Sequence, residues 1–251
     1  MPTASILLRD SLVYRRAAFA AGLEHHGYSI DFKHSRSPRV GDILVLWNRP
    51  RGYEQVAQTY EQRGCKVIIA ENGYLPGPSG EKSYALALYR HNGCGHWHVG
   101  PEPRRTFDVQ PWRKDGDFLL LLPQRGIGSR NVAMPVGWLK DALHALKRVT
   151  DRPIRIRKHP GGAKSDPVPD MAGAWACVTW GSGAAIKAIV AGVPVFYGLK
   201  NWIGGPAAKM GFDDIEVPYL GDRSEMLHRL SWAQWSAAEI ESGEAFGWLL
   251  G

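Results

Sequence analysis

The sequence predicts an α/β protein of two Rossmann-like halves, each a parallel sheet with helical cover, at residues 1–110 and 111–251. Three observations predict it. Strand-like apolar runs alternate with segments of helical spacing through residues 5–70, and the alternation restarts at Phe118. The run Phe118-Leu119-Leu120-Leu121-Leu122 has no polar member, the pattern of a parallel strand buried on both faces. Residues 101–116, between the two alternations, are polar, proline-containing and irregular, the composition of a boundary. Halves of this kind bind ligands at the carboxyl ends of their strands, here expected in a cleft between them.

The first half opens with a strand at residues 3–9, followed by Asp10-Ser11, which can cap the next helix. Residues 14–26 have helical apolar spacing, with Gly27 as the stop. Strands follow at 28–32 and 43–47, then the basic loop Asn48-Arg49-Pro50-Arg51-Gly52, a helix at 53–63 stopped by Gly64, and a strand at 66–70. Glu71-Asn72-Gly73-Tyr74 lies just beyond that strand. Residues 75–100 read as loop-rich, and three His and a Trp among glycines (His91, His96, Trp97, His98) mark a functional loop. The second half has strands at 118–122, 154–157, 176–179 and 194–198, and helices at 136–149 and 184–191. Further helices are expected at 225–230 and 232–242, and the apolar tail at 245–250 should dock on the body.

Composition bounds the rest. The chain has 251 residues, 44% of them hydrophobic, enough for a sizeable core. It lacks the run of about 20 apolar residues that spans a bilayer. It begins without the basic and apolar regions of a signal peptide, and its three cysteines are odd in number and widely spaced. These features place it in the cytoplasm, the host's if the protein is phage-encoded. The net charge of +7 favours a polyanionic partner such as DNA, RNA or an anionic glycan, and a binder of nucleotide diphosphates needs the same cations. Ten tryptophans supply stacking surface as well as core.

Two strand ends carry the chemistry. Arg155-Ile156-Arg157-Lys158 is a basic strand ending in a turn at His159-Pro160-Gly161-Gly162. Val178-Thr179-Trp180-Gly181-Ser182-Gly183 is an apolar strand running through a Gly-Ser-Gly turn into a helix. A helix start offers unpaired N–H groups and the positive end of the dipole to an anion, and Ser182 can both cap the helix and bond a phosphate oxygen. The turn Pro123-Gln124-Arg125-Gly126-Ile127-Gly128-Ser129 is glycine-rich and basic, and adds Arg125, Gly126, Gly128 and Ser129 to the phosphate-binding set. Its glycine spacing is neither that of a Walker A loop nor that of a dinucleotide fingerprint.

A basic strand ending in His-Pro, then a strand ending in Thr-Trp-Gly-Ser-Gly, then Ala-Ile-x-Ala-x-x-Ala-Gly-x-Pro-Val resembles the C-terminal half of GT-B glycosyltransferases. The likeness is to those of the capsule-polysaccharide and Kdo-transferase type and to related phage-encoded proteins. It covers mainly residues 118–200, and more weakly 235–248. It implies a GT-B-like fold whose second half binds a nucleotide sugar through Lys158, His159, Gly181, Ser182 and Gly183, and a C-terminal helix that returns to the first half. The donor would be a UDP- or CMP-sugar, a co-substrate rather than a tightly bound cofactor.

Inverting sugar transfer needs a base for the acceptor hydroxyl and positive groups for the departing phosphate. Glu71 and Asp10, at strand ends of the first half, and His91 are the candidate bases. Asp10 can instead cap a helix, and Glu71 can close a turn. No metal is predicted: His91, His96 and His98 lack a completing ligand, and Asp213-Asp214 does not have Asp-x-Asp spacing, although Mg²⁺ can assist diphosphate departure. For the acceptor, the charge and the basic loops point to double-stranded DNA. Arg49, Arg51, Arg104 and Arg105 would hold phosphates, and Tyr74 or Trp97 would fill the gap left by a flipped base. The alternatives are a glycan acceptor in capsule or lipopolysaccharide synthesis, and a nucleic-acid-binding protein without catalysis on the same scaffold.

Overall fold

The structure is a computed structural model and describes residues 1–159 and 165–251. In chain order the elements are β1 (Thr3–Ile6), α1 (Arg16–Glu24), β2 (Ser29–Asp31), β3 (Ile43–Trp47), α2 (Glu54–Gln62), β4 (Lys66–Asn72), β5 (Ser83–Leu88), β6 (Phe118–Leu122) and α3 (Trp138–Leu146). They continue with β7 (Ile154–Ile156), β8 (Ala174–Thr179), α4 (Gly183–Val190), β9 (Val195–Tyr197), β10 (Lys209–Met210), α5 (Ser224–Ala233), β11 (Gln234–Ser236), α6 (Ala237–Glu241) and α7 (Glu244–Leu250). The chain divides into two compact units. Unit 1 comprises residues 1–101, 127–132 and 232–251; unit 2 comprises 102–126 and 133–231.

Unit 2 is built on a five-stranded sheet of order β10-β9-β8-β6-β7, every pair parallel. The all-apolar run places β6 inside it, paired on both edges. One face, with Leu119, Leu121, Ala176, Val178 and Phe196, packs against Trp138, Ala142 and Leu146 of α3. Arg155, at the outer edge, lays its guanidinium 3.7 Å from the centre of the Phe118 ring, which gives an exposed cation an apolar seat.

Unit 1 has a six-stranded sheet of order β11-β5-β4-β3-β1-β2. Its strands β2, β1, β3 and β4 are parallel. The sheet departs from an all-parallel pattern at β5 and β11, each antiparallel to its neighbour. Only residues 73–82 separate β4 from β5, and a parallel return needs a crossover of about a dozen residues or more. Side-chain alternation along β4 sends Val67 and Ile69 to the face covered by α2, and Ile68 and Ala70 to the face covered by α1 and α7.

The helix expected at 232–242 is interrupted by β11. Trp235 pairs with Tyr84 of β5, and the buried Gln234 accepts the N–H groups of Tyr74 and Leu75 at 3.1 and 3.2 Å. An unpaired sheet edge exposes a row of donors and acceptors, and satisfying it overrides the local helical pattern. The apolar tail then docks on α1. Phe246 lies 6.0 Å from Phe19, and His26 Nε2 meets the Gly243 carbonyl at 2.7 Å.

Gly22, in the middle of α1, makes this close approach possible. A Cβ there would sit 1.9 Å from the Ile240 carbonyl oxygen and 2.8 Å from the Phe246 ring. In an exposed helix Gly→Ala stabilises by about 1 kcal/mol. Gly22→Ala is expected to do the reverse, lowering the stability of unit 1 by about 1–2 kcal/mol through overpacking. A urea or thermal melt checks the sign, and an increase in stability would mean that α1 and the C-terminal segment do not meet this closely.

Candidate active site

In unit 2 the strand order places β6 between β7 and β8. The chain leaves β6 towards β7 on one side and then crosses to β8 on the other, so the carboxyl ends of β6 and β8 flank the topological switch point, where open α/β sheets bind ligands. Two hydrogen-bonded links span it. Gln124 Nε2, just after β6, donates to the Gly181 carbonyl at 3.3 Å. The Thr179 hydroxyl, fully buried at the end of β8, donates to the Leu122 carbonyl at 3.0 Å and accepts the Ser182 N–H at 3.0 Å. Ser182 is thereby fixed as the N-cap of α4, its hydroxyl accepting the Ala184 N–H at 3.2 Å. Gly181 is buried against Leu199, with 2.7 Å available to a Cβ, so a side chain would push the loop off the sheet.

Cations gather at the neighbouring strand ends. His159 follows β7, and partial burial, then Arg125 and Arg157, hold its pKa below the ordinary value. Burial and both guanidinium groups thus favour its neutral imidazole form. Arg157 is pinned by Asp170 at 2.5 Å and by the Ser165 hydroxyl at 2.6 Å. Arg125 and Lys158 are exposed. His159 follows β7 and Ser182 follows β8, strands that are not adjacent; with β6 between, the two strand ends are about two strand spacings, roughly 10 Å, apart. The Pro160-Gly161-Gly162 part of the expected turn lies outside the described residues.

In unit 1 the alternation that points Val67 and Ile69 towards α2 points Glu71 the same way, at the carboxyl end of β4. Its Oε1 accepts the Tyr74 hydroxyl at 2.7 Å and the Asn92 N–H at 2.9 Å, and the Gly93 N–H also bonds the carboxylate. Asn92 and Gly93 both have left-handed backbones, φ 56° and 65°. The N–H groups of these two successive residues both meet the Glu71 carboxylate and so form an anion cradle. Burial pushes the Glu71 pKa up to about 7, against the hydrogen bonds from Tyr74, Asn92 and Gly93 that favour the charged form. Burial likewise pushes the Cys94 thiol up to about 12, and its Sγ donates to the His91 carbonyl at 2.9 Å.

His91 is 4% exposed, and its Nδ1 is buried with no hydrogen-bond partner among the described residues. Burial depresses its pKa to about 4, against a hydrogen bond with the Ile127 backbone, and the nearby Arg49 adds to the depression. The ring presses on Gly128, where a Cβ would stand 2.2 Å from Cε1. Gly128 and Ser129 thus lie in unit 1, whereas Arg125 and Gly126 lie in unit 2.

The remaining residues singled out from the sequence are dispersed. Asp10 is largely exposed and pairs with Arg16 at 2.5 Å rather than capping α1. Arg49 is 5% exposed, and all five of its N–H donors are used within unit 1: Nε and one Nη2–H to Glu54 at 3.0 and 2.9 Å, the other Nη2–H to Glu61 at 3.2 Å, and the Nη1 pair to Glu61 and the Tyr89 carbonyl. It has nothing left for a phosphate. Tyr74 is buried with its hydroxyl on Glu71, so it presents no stacking face. Trp97 is half-buried against the unit 1 core, and Arg51 is exposed. Arg104 and Arg105 are half-buried in unit 2, where the Arg104 N–H donates to the Ser231 hydroxyl at 3.1 Å. The sequence reading missed the anion cradle at Asn92-Gly93 and the Gln124 tie. The Asn-Gly pair was a visible signal for the first, and no signal marked the second.

Two solved structures are similar along nearly the whole chain, both from Thermosulfurimonas dismutans KpsC. One is its β-Kdo 2,7 transferase, with a TM-score of 0.55 and 13% identity over 98% of this chain and 99% of that one. The other is its β-Kdo 2,4 transferase, with a TM-score of 0.55 and 14% identity over 92% of this chain and 90% of that one. At this identity the likeness concerns the fold. No protein-family model matches the chain, and no curated protein does.

The cradle sets a measurable titration. Glu71 is expected to lose its proton near pH 7 in the folded protein, read by ¹³C NMR of the side-chain carboxyls, where an ordinary Glu titrates near 4.3. Tyr74→Phe removes a bond that favours the carboxylate, so the midpoint should move upward. A downward move, or a Glu71 midpoint near 4.3 in the unaltered chain, would contradict the described burial.

Proposed function

We propose that this protein is a nucleotide-sugar-dependent glycosyltransferase. Its donor would bind at the switch point of unit 2, and its acceptor would be a saccharide hydroxyl deprotonated by Glu71. The observation that carries the reading is the Ser-capped helix start that follows β8 at the switch point of the unit 2 sheet, with Arg125 following β6 and His159 following β7. The full-length likeness to two Kdo transferases supports it. The donor phosphate would accept from the Gly183 N–H and the Ser182 hydroxyl, and the cations Arg125 and Lys158 would stabilise the charge on departure. The neutral His159 would donate a ring N–H to the same group.

In the transfer step the acceptor oxygen bonds the anomeric carbon. The bond from that carbon to the donor phosphate breaks, its electron pair stays on the phosphate oxygen, and the hydroxyl proton passes to Glu71. A carboxylate with a pKa near 7 suits that task at neutral pH, because it is substantially ionised yet basic enough to take the proton. Asp10, ion-paired and exposed, and His91, whose free ring nitrogen is enclosed, are weaker bases for it. A saccharide acceptor is favoured over a DNA base because Arg49 and Tyr74, two of the residues assigned to DNA, are occupied inside unit 1, and because the full-length likeness is to two Kdo transferases.

Donor binding tests the reading. CMP- and UDP-sugars are titrated calorimetrically against the full chain, His159→Ala and Ser182→Ala. Loss of one hydrogen bond to a charged phosphate is expected to weaken binding about ten- to hundredfold in each variant. Unchanged affinity in both variants, or no donor bound by the unaltered chain, would remove the donor site. Hexose-sized mass gain on nucleosides digested from hydroxymethylated DNA would restore a DNA acceptor.

A further inference from the structure

The turn after β1 has chemistry that sugar transfer does not use. Tyr14 and Arg15 both donate their N–H groups to the Ser11 carbonyl, at 3.2 and 3.0 Å, and Arg15 adopts a left-handed backbone, φ 50°. This tight turn thrusts two aliphatic side chains into water: Leu12 is 81% exposed and Val13 48%. It is held from beneath, since the Val13 carbonyl accepts Lys82 Nζ at 2.6 Å and the Tyr84 hydroxyl at 3.1 Å. Beside it Phe32, 49% exposed at the end of β2, lies under the Arg16 guanidinium, 4.3 Å from its ring centre.

The surround is cationic. Arg9 and Arg15 flank the turn in the chain, Arg16 lies over Phe32, Lys33 follows Phe32, and Lys82 bonds the turn. The carboxylates are Asp10, paired with Arg16; Asp31, which accepts the Lys33 N–H; and Glu81, which accepts the Ser79 N–H. Cations alone would suit any polyanion. Aliphatic side chains displayed at the tip of a pinned turn gain only where an apolar phase meets the charge, and the interface of an anionic bilayer supplies both. No helix among the described residues is long and apolar enough to cross a membrane, so any attachment made by this rim is to the surface.

We propose that this rim of unit 1 docks on a lipid bilayer bearing anionic headgroups, with Leu12, Val13 and Phe32 in the interfacial layer and the surrounding arginines and lysines on the headgroups. The inference goes beyond the transferase reading and does not depend on it.

Co-sedimentation of the full chain with vesicles tests it, using phosphatidylcholine alone and phosphatidylcholine with about a third phosphatidylserine. Binding is expected to the mixed vesicles, at least tenfold weaker to phosphatidylcholine alone, and to fall with added salt. The double substitution Leu12→Ser with Val13→Ser should weaken binding about tenfold, and Arg9→Gln or Lys33→Gln about fivefold each. All four side chains are exposed, so melting temperatures should not change. No binding to mixed vesicles, equal binding to both kinds, or binding indifferent to the Leu12/Val13 change would overturn the proposal. A rim that instead retards double-stranded DNA, with the aliphatic change again without effect, would be a nucleic-acid surface.

Discussion

The arrangement of unit 1 rests on one buried guanidinium. Arg49 closes the end of β3 in a left-handed backbone, φ 43°, directly after Asn48 at 60°. Two such residues in succession are strained, and the five hydrogen bonds of Arg49 hold them there. Those bonds reach Glu54 in the first turn of α2, Glu61 in its last, and the Tyr89 carbonyl where the chain leaves β5. One side chain thereby fixes the position of α2 on the sheet and the departure point of the loop that brings Asn92 to Glu71. A buried ion cluster of this kind is weak evidence for net stability, but losing one partner leaves uncompensated charge behind. Its value here lies in placement.

The two units solve opposite electrostatic problems at matching strand ends. Unit 2 places basic residues, Arg125, Arg157 and Lys158, and a Ser-capped helix start after neighbouring strands, with Arg157 balanced by Asp170. Unit 1 buries a carboxylate and surrounds it with donors strong enough to keep it near half-ionised at neutral pH. Desolvation alone would raise Glu71 further, and the Asn92-Gly93 amides and the Tyr74 hydroxyl limit the rise. Both sites use backbone amides because a main-chain donor is positioned by the fold and cannot swing away.

Much of the fold was legible because it depends on local pattern. β3 and β6 stand where their apolar runs place them, and Gly27, Gly64 and the Ser182 turn mark helix ends by backbone conformation and capping. Ser182 was readable for the same reason. What escaped was set by distant partners. β11 forms because β5 needs a neighbour about 150 residues away in sequence, and no window around Gln234 encodes that. The same cause hid Arg49, whose basic loop reads as a phosphate contact until Glu54, Glu61 and Tyr89 are brought around it. Glu71 was visible as a carboxylate at a strand end, but its raised pKa comes from a loop twenty residues on. Ser182 has the expected capping role, and the strands that His159 and Ser182 follow are separated by β6, an order set by long-range pairing that no local window encodes.

The strand order of unit 1 has a bearing on biosynthesis. During translation the first five strands of its sheet emerge early, but the edge they present at β5 is covered only when Gln234–Ser236 leaves the ribosome. At common elongation speeds of about 5–20 residues per second, that is a wait of roughly 7 to 30 seconds. Unit 2 can complete its sheet within that interval. The nascent amino-terminal portion therefore passes through a period with an open β-edge and an uncovered α1 face, when a chaperone or a second nascent chain has its best opportunity to bind.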